Sequence, residues 1–400
     1  AVVVRLVGSF WSGLDPDVVA AASTLGASPW QRFRRVTLPL SVPAIASAAS
    51  VVFLFTFTSL GVVLILGGPG LTTLEVEILR QTRDLLNLPS AAALALVQLG
   101  AVGLALLLGS RLQQRAARTL PRHSSTIARR PLTTTRDRQW LAGNLGLMAV
   151  LLGTPIAVLV VRSLRVGEHW SLASWTQMGT LRSGSLLAVS PLEAFGNTLW
   201  FGLQATVLAT VLGVLASVAL ANRRGRRVAV LDALLALPLG TSAVTVGFGF
   251  LVALNRPPLD LRSSAILVPI AHALVATPFV VRVVLPAVRA LDPDQRAAAR
   301  TLGAGPLTAL LRTDVRTLAA PISTAAAFAF AISAGEFGAT VFIARPESTT
   351  APLMILRLLS QPGTSSLGQA MALSVLLLVV VTAVILTAAR GASQLDRVPA

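Results

Sequence analysis

The stretch LDPDVVAAASTLGASP, Leu14 to Pro29, decides how this sequence is read, because it returns as LDPDQRAAARTLGAGP from Leu291 to Pro306. Twelve of the sixteen positions are identical at a constant offset of 277 residues. The same offset pairs Val3-Val4-Arg5 with Val280-Val281-Arg282, and Pro69, Thr72 and Thr73 with Pro346, Thr349 and Thr350. It also pairs Ile78-Leu79-Arg80 with Ile355-Leu356-Arg357, and Ala93 and Ala95 with Ala370 and Ala372. Ungapped similarity over this length marks two copies of one unit.

The local chemistry of the repeated stretch spells a helical hairpin. Asp15 is a good N-cap and Pro16 suits the first helical position. Gly26 can adopt the left-handed conformation that ends a helix. Ser28-Pro29 starts a second short helix with Trp30, Phe33 and Val36 on one stripe, and Leu38-Pro39 is expected to stop it. Asp292-Pro293, Gly303 and Gly305-Pro306 repeat the punctuation. The best-matched segment between the copies is a polar loop, where a mere connector would drift. That pattern predicts a shared partner.

Around the hairpins the chain is apolar. Of 400 residues, 54% are hydrophobic and 12% charged, about half the charge of a soluble domain. Apolar spans long enough to cross a bilayer lie near 43–66, 89–110, 141–161, 197–220, 228–254, 263–284, 321–343 and 367–388, with 1–7 as the tail of another. The 33 basic residues are all Arg. Placing 8–42, 111–140, 221–227, 285–320 and the C-terminus on one side gathers 22 of them there, against 9 in the opposite loops. The positive-inside rule makes the richer side cytosolic. The Arg-rich, Pro-broken loop 111–140 reads as a flexible linker between two membrane halves, and no interleaved aromatics support a nucleic-acid arm.

Without Lys the chain lacks the P-loop needed to hydrolyse ATP itself. Without Cys it has no thiol nucleophile, disulfide or cysteinyl metal site. Its three His (His123, His169, His272) stand far apart, and no metal site is expected.

The repeated hairpin resembles the cytosolic "EAA" loop of binding-protein-dependent ABC importer permeases. Ala21-Ala22 and Ala298-Ala299 match that pattern's alanines, Gly26 and Gly303 its glycine, and Leu38-Pro39 its end in the first copy. Ala20 and Ala297 stand where the family has Glu, and Val315-Arg316 where Leu-Pro is expected. FGNTL at Phe195–Leu199 resembles the start of a core helix in these permeases. LGGPGLTTLEVEI (Leu66–Ile78) and GEFGATVFIARP (Gly335–Pro346), with the fused halves, are similar to the ferric-iron and thiamine branch.

The resemblance implies an all-α integral membrane protein of the bacterial plasma membrane, with two tandem, parallel six-helix permease domains. Residues 1–110 would be the C-terminal part of the first domain, 111–140 the linker, 141–388 the second domain and 389–400 a cytosolic tail. Ala1 aligns with Pro278, so the counterpart of 141–277 is expected to be missing and the intact protein to have about twelve spans. The implied partners are the lipid bilayer, a cytosolic ABC ATPase dimer that binds ATP and magnesium, and an extracytoplasmic solute-binding protein. No nucleic acid and no cofactor within the chain are expected. The ATPase-coupling residues would be Asp15, Ala21, Ala22, Gly26, Asp292, Ala298, Ala299 and Gly303.

Ionisable and polar groups inside a bilayer are functional candidates. Glu336 either lines the entry for a cationic solute or is a helix-end carboxylate paired locally. Asn197 and Thr198 either line the pathway or bond between helices. Arg5 and Arg282 are read as snorkelling to headgroups, His272 as a packed histidine, and Asp232 as paired with the Arg run at 223–227. Leu74, Ile78, Thr82 and Leu85 predict one face of a helix between spans. Two rival readings are a proton-coupled secondary transporter, with Glu336 or His272 as carrier, and a non-transporting membrane scaffold.

Overall fold

A computed structural model describes residues 2–12, 16–68, 70–117, 134–167, 169–181, 187–221, 241–254, 261, 264–305, 308–309 and 311–395. The first copy contributes α1 (Val2–Ser12), α2 (Pro16–Thr24), α3 (Pro29–Arg32), α4 (Leu38–Phe57), α5 (Leu60–Leu66), α6 (Leu74–Arg83) and α7 (Leu88–Ala117). The remainder comprises α8 (Thr135–Ser163), a two-stranded antiparallel ribbon of β1 (Arg165–Val166) and β2 (His169–Trp170), α9 (Ala173–Thr176), α10 (Pro191–Ala221), α11 (Ala243–Ala253), α12 (Leu267–Arg289), α13 (Pro293–Thr301), α14 (Arg316–Ala334), α15 (Thr340–Ile343), α16 (Ala351–Leu359) and α17 (Thr364–Leu395).

Among the described residues six helices are long and apolar enough to cross a membrane: Leu88–Leu108, Thr135–Ser163, Pro191–Ala221, Leu267–Arg289, Thr313–Ala334 and Thr364–Gly391. At 1.5 Å per residue each reaches across a hydrocarbon core of about 30 Å. The most apolar stretch of α8 is buried nowhere along its length. In a membrane that outward face of Leu and Val is solvated by lipid, so its exposure carries no hydrophobic penalty.

What holds the bundle is close approach of small side chains. Helices α10, α12 and α14 meet along Ala205, Ala209, Ala273, Ala276, Ala325 and Ala329, with Val280 and Val284 between them. A Cβ on Gly213 would lie 2.5 Å from Val280 Cγ1, so only glycine lets α10 and α12 come this near. A second cluster, with Phe195, Met354, Leu358 and Leu373, ties α10 to α16 and α17. A third joins the two copies: Leu60, Ile78, Leu79, Ala91 and Ala95 pack with Val244, Phe248, Leu267, Ala271, Ala339 and Val341.

Several expectations are corrected. The run 43–66 is not one span: the helix ends at Phe57, bends through Thr58-Ser59, and resumes as α5. The run 321–343 is likewise α14, a break over 335–339, and α15. The breaks coincide at the repeat offset, Thr58-Ser59-Leu60-Gly61 against Gly335-Glu336-Phe337-Gly338. Hydropathy averages over such short polar interruptions, which is why each run looked continuous. Leu38-Pro39 does not stop a helix: a π-helical turn, Phe33–Thr37, leads directly into α4 with Pro39 at its start. Helix α7 runs on to Ala117 and α8 begins at Thr135, and the remainder of the expected linker lies outside the described residues. Of the span at 228–254, only 241–254 is described; Asp15, His123, Asp232, the Arg run at 223–227 and the Arg5 side chain lie outside the described residues.

Candidate functional site

The paired hairpins share one geometry. In the first copy Gly26 has φ +80°, and the N–H groups of Gly26 and Ala27 donate to Ser23 O (3.0 Å) and Ala22 O (3.1 Å). In the second, Gly303 has φ +87°, and Gly303 and Ala304 donate to Arg300 O (3.0 Å) and Ala299 O (3.0 Å). Both pairs form the double-bonded C-terminal cap that only glycine enters without strain. Ala21 and Ala298 are exposed, while Ala22 and Ala299 are half-buried. Asp292 caps α13 by accepting the Asp294 N–H at 2.9 Å. After the turn, Ser28 and Gln31 cap α3 reciprocally, and Arg32 Nη1 donates to Ser23 Oγ at 2.6 Å, bracing the two arms.

Sequence reasoning missed the tips. Leu25 and Leu302, equivalent by the offset, are 87% and 89% exposed. Each sits one residue before the turning glycine, which holds it clear of the hairpin. A conspicuous signal was available, since both copies place a leucine in an otherwise small and polar segment.

The second feature is a cavity of about 570 Å³ between the two copies. The first copy lines it with residues around the α4–α5 break, including Phe55, Thr58 and Ser59, and with Glu75 from α6. The second copy supplies Phe279 and Arg282 from α12 and the whole break from Gly335 to Gly338. Arg282 therefore borders the cavity, where a purely headgroup-directed side chain was expected.

Glu336 is both a cavity-lining residue and a locally bonded carboxylate. It lines the cavity, yet Oε1 accepts the Ala339 N–H (3.0 Å) and Oε2 accepts the Thr340 N–H (3.2 Å) and hydroxyl (2.9 Å). Its carboxylate thus caps α15, the placement an electropositive helix start favours. His272 Nε2 lies 3.4 Å from Glu336 Oε2 and 2.7 Å from Thr340 Oγ1, and Nδ1 lies 2.7 Å from Ser333 Oγ. The imidazole is a packed, fully bonded side chain, as read from the sequence.

Asn197 and Thr198 do not line the cavity among the described residues. Asn197 Nδ2 donates to Glu347 O (2.9 Å) and Thr349 O (3.1 Å), and Thr198 Oγ1 accepts the Ala351 N–H (2.6 Å). They fasten α10 to the loop entering α16, which agrees with the bonding alternative. On α6 the expected face is rotated. Ile78 and Thr82 are buried as foreseen, but Glu75 and Leu79 complete the face and Leu85 is exposed beyond the helix end.

Glu75 is the acidic group that pattern reading passed over. It is 1% exposed, and its Oε1 accepts from Gln98 Nε2 at 2.8 Å. Burial pushes its pKa above the usual carboxylate range. Glu77, two residues on and turned to solvent, is held below that range by hydrogen bonds from Gln81 and Arg80.

The helical membrane fold agrees with what comparison finds. The family described as "Binding-protein-dependent transport system inner membrane component" matches residues 1–118 and 209–392. The chain belongs to this family. It is an ABC permease component and a multi-pass inner-membrane protein. The thiamine transport system permease protein ThiP of Brucella suis biovar 1 is 28% identical over 380 residues, covering 94% of this chain and 67% of the relative. The putative 2-aminoethylphosphonate transport system permease protein PhnV of Salmonella typhimurium is 27% identical over 258 residues, covering 63% of this chain and 93% of the relative.

Proposed function

We propose that this chain forms the solute pathway of an ATP-driven importer and couples to a cytosolic ATPase dimer through its two hairpins. The observation that carries this reading is the recurrence of one hairpin turn, with the same C-terminal glycine cap and the same exposed leucine, at a fixed offset. A two-fold ATPase dimer presents two equivalent docking sites, and two copies of one membrane unit present two equivalent plugs. Leu25 and Leu302 fill apolar pockets on the ATPase, while the small Ala21 and Ala298 allow close approach. The Arg distribution supports hairpins and C-terminus in the cytosol.

ATP binding draws the two ATPase subunits together. The hairpins carry that movement to the helix bundles, and the chamber between the copies opens alternately outward, to accept solute from an extracytoplasmic binding protein, and inward. Coupling needs each hairpin to move as one body with its ATPase, which the double cap of both copies favours and the Arg32–Ser23 brace adds to in the first. The thiamine permeases of the Brucella relatives and the acidic wall of the chamber support a small cationic solute of thiamine type; ferric iron is the other cargo suggested by the branch.

The test is the double variant Gly26→Pro, Gly303→Pro in the intact complex. Loss of both ATPase association and uptake is expected. Survival of both overturns the coupling, and uptake driven by a proton gradient without ATP overturns the ABC reading itself.

A further inference from the structure

The chamber wall has a feature that neither copy supplies alone. Glu75 comes from α6 of the first copy and Glu336 from the break in the second, and both line the same cavity. The repeat does not relate them. At the offset of 277, Glu75 falls on Pro352 and Glu336 on Ser59, so each carboxylate exists in one copy only. The duplicated architecture has been made acidic twice, by unrelated positions.

Glu75 is held ready for something the chain does not itself provide. Gln98 is 1% exposed and fixes Glu75 Oε1, and Thr245 Oγ1 donates to Gln98 Oε1 at 3.4 Å, turning the amide so that its N–H faces the acid. Glu75 Oε2 is buried, and although the Ser242 hydroxyl stands beside the carboxylate it makes no hydrogen bond of good geometry to this oxygen. A desolvated acceptor without a donor is destabilising, and an apolar residue would pack this position better. Around it the cavity is largely apolar, with Phe55, Phe279 and Phe337 on its wall and the Phe55 and Phe279 ring centroids 6.4 Å apart. Aromatic faces carry negative potential and attract cations, most strongly where water is excluded.

We propose that Glu75 and Glu336, with these three phenylalanines, form a binding site for an organic cation. Glu75 Oε2 takes the cation's N–H donor or its charged centre. Glu336 adds a second negative charge, and the rings cover the apolar body. The inference rests on the reading of this chamber as the solute pathway and names the class of solute. The cavity volume lies in the range of small-molecule sites, about 300–1,000 Å³. Among the described residues no third His, Cys, Asp or Glu joins the acids in a metal-holding group, so the chemistry suits an organic cation better than a bare metal ion. Arg282 lines the same cavity, its backbone ten residues and so about 15 Å along α12 from His272, the neighbour of Glu336.

The deciding experiment measures binding of labelled thiamine to the purified full chain in lipid nanodiscs, with tetraethylammonium as competitor and inorganic phosphate as anionic control. No ATPase is required, so failure of the site is separable from failure of the transport reading, which is judged by ATP-driven uptake in the complete complex. Saturable binding is expected, displaced by tetraethylammonium, untouched by phosphate, and weakened tenfold or more by Glu75→Gln. Phe279→Leu, which keeps the apolar volume and removes the ring, is expected to weaken binding about threefold. Absence of saturable binding, or binding that Glu75→Gln and Phe279→Leu both leave unchanged, overturns the proposal.

Discussion

The hairpins and the chamber breaks come from the same duplication and have had opposite fates. The hairpins match in sequence, in cap geometry, in the left-handed glycine and in the exposure of the leucine tip. The breaks match in position but not in chemistry. Ser59 opens α5 without a side-chain cap, whereas Glu336 caps α15 through two backbone N–H groups. On the proposed function, a surface that serves two equal partners is held alike, and a surface that meets one asymmetric solute has no reason to be.

That contrast can be broken first at the hairpins. Proline cannot adopt a positive φ, so Gly26→Pro alone and Gly303→Pro alone should each reduce ATPase capture, measured by pull-down from membranes, by about tenfold or more for a cap worth ~1–2 kcal/mol. The two losses should be similar. If one copy tolerates proline and the other does not, the hairpins are not equivalent plugs.

The chamber predicts inequality instead. Glu336→Ala orphans the buried donors of Ala339 and Thr340, at about 1–3 kcal/mol for each donor left unsatisfied. Ser59→Ala removes no cap and should stay within ~0.5 kcal/mol. Thermal unfolding of both variants in detergent reads the difference, and equal melting temperatures would refute the asymmetry.

A smaller effect tests how the second break is held. A Cβ on Gly247 would meet backbone atoms of Ala339 at 2.7 and 2.8 Å, whereas one on Gly249 meets nothing. Gly247→Ala should cost about 1–3 kcal/mol by overpacking, and Gly249→Ala should be nearly neutral in the same melt.

The smallest and sharpest prediction is a pH slope. Burial raises the Glu75 pKa in the folded protein, so the folded state binds a proton more readily than the unfolded chain does. Stability from this group is therefore fullest below the ordinary carboxylate pKa of about 4.3 and declines as pH rises through the raised value. Glu75→Gln removes that decline. Its melting temperature should exceed that of the unaltered protein near pH 8 and converge with it near pH 4. A constant difference across the range would place the effect elsewhere.

Much of this was legible from local signals. A glycine two residues after a capped helix, repeated at a fixed offset, can be read without coordinates because the left-handed turn depends on that residue alone. The long helices were equally legible, since twenty apolar residues permit little else in a bilayer. The breaks were not, because two or three polar residues vanish in an average over a span. Glu75 was missed for another reason. Its helix is polar enough to look exposed on every side, and only the packing of α6 against α7 and α11 decides that the acid faces inward while Glu77 faces out.

The sequence by itself determined the internal repeat, the hairpin turns and the apolar spans, since each follows from the kind and spacing of neighbouring residues. Only the tertiary structure decided that Glu75 and Glu336, 261 positions apart, share one cavity, and that Asn197 and Thr198 bond to the loop entering α16. Helical periodicity assigns a residue to a face. Which face meets the other copy is set by how closely glycine and alanine let the helices approach, and that is a property of the assembled bundle.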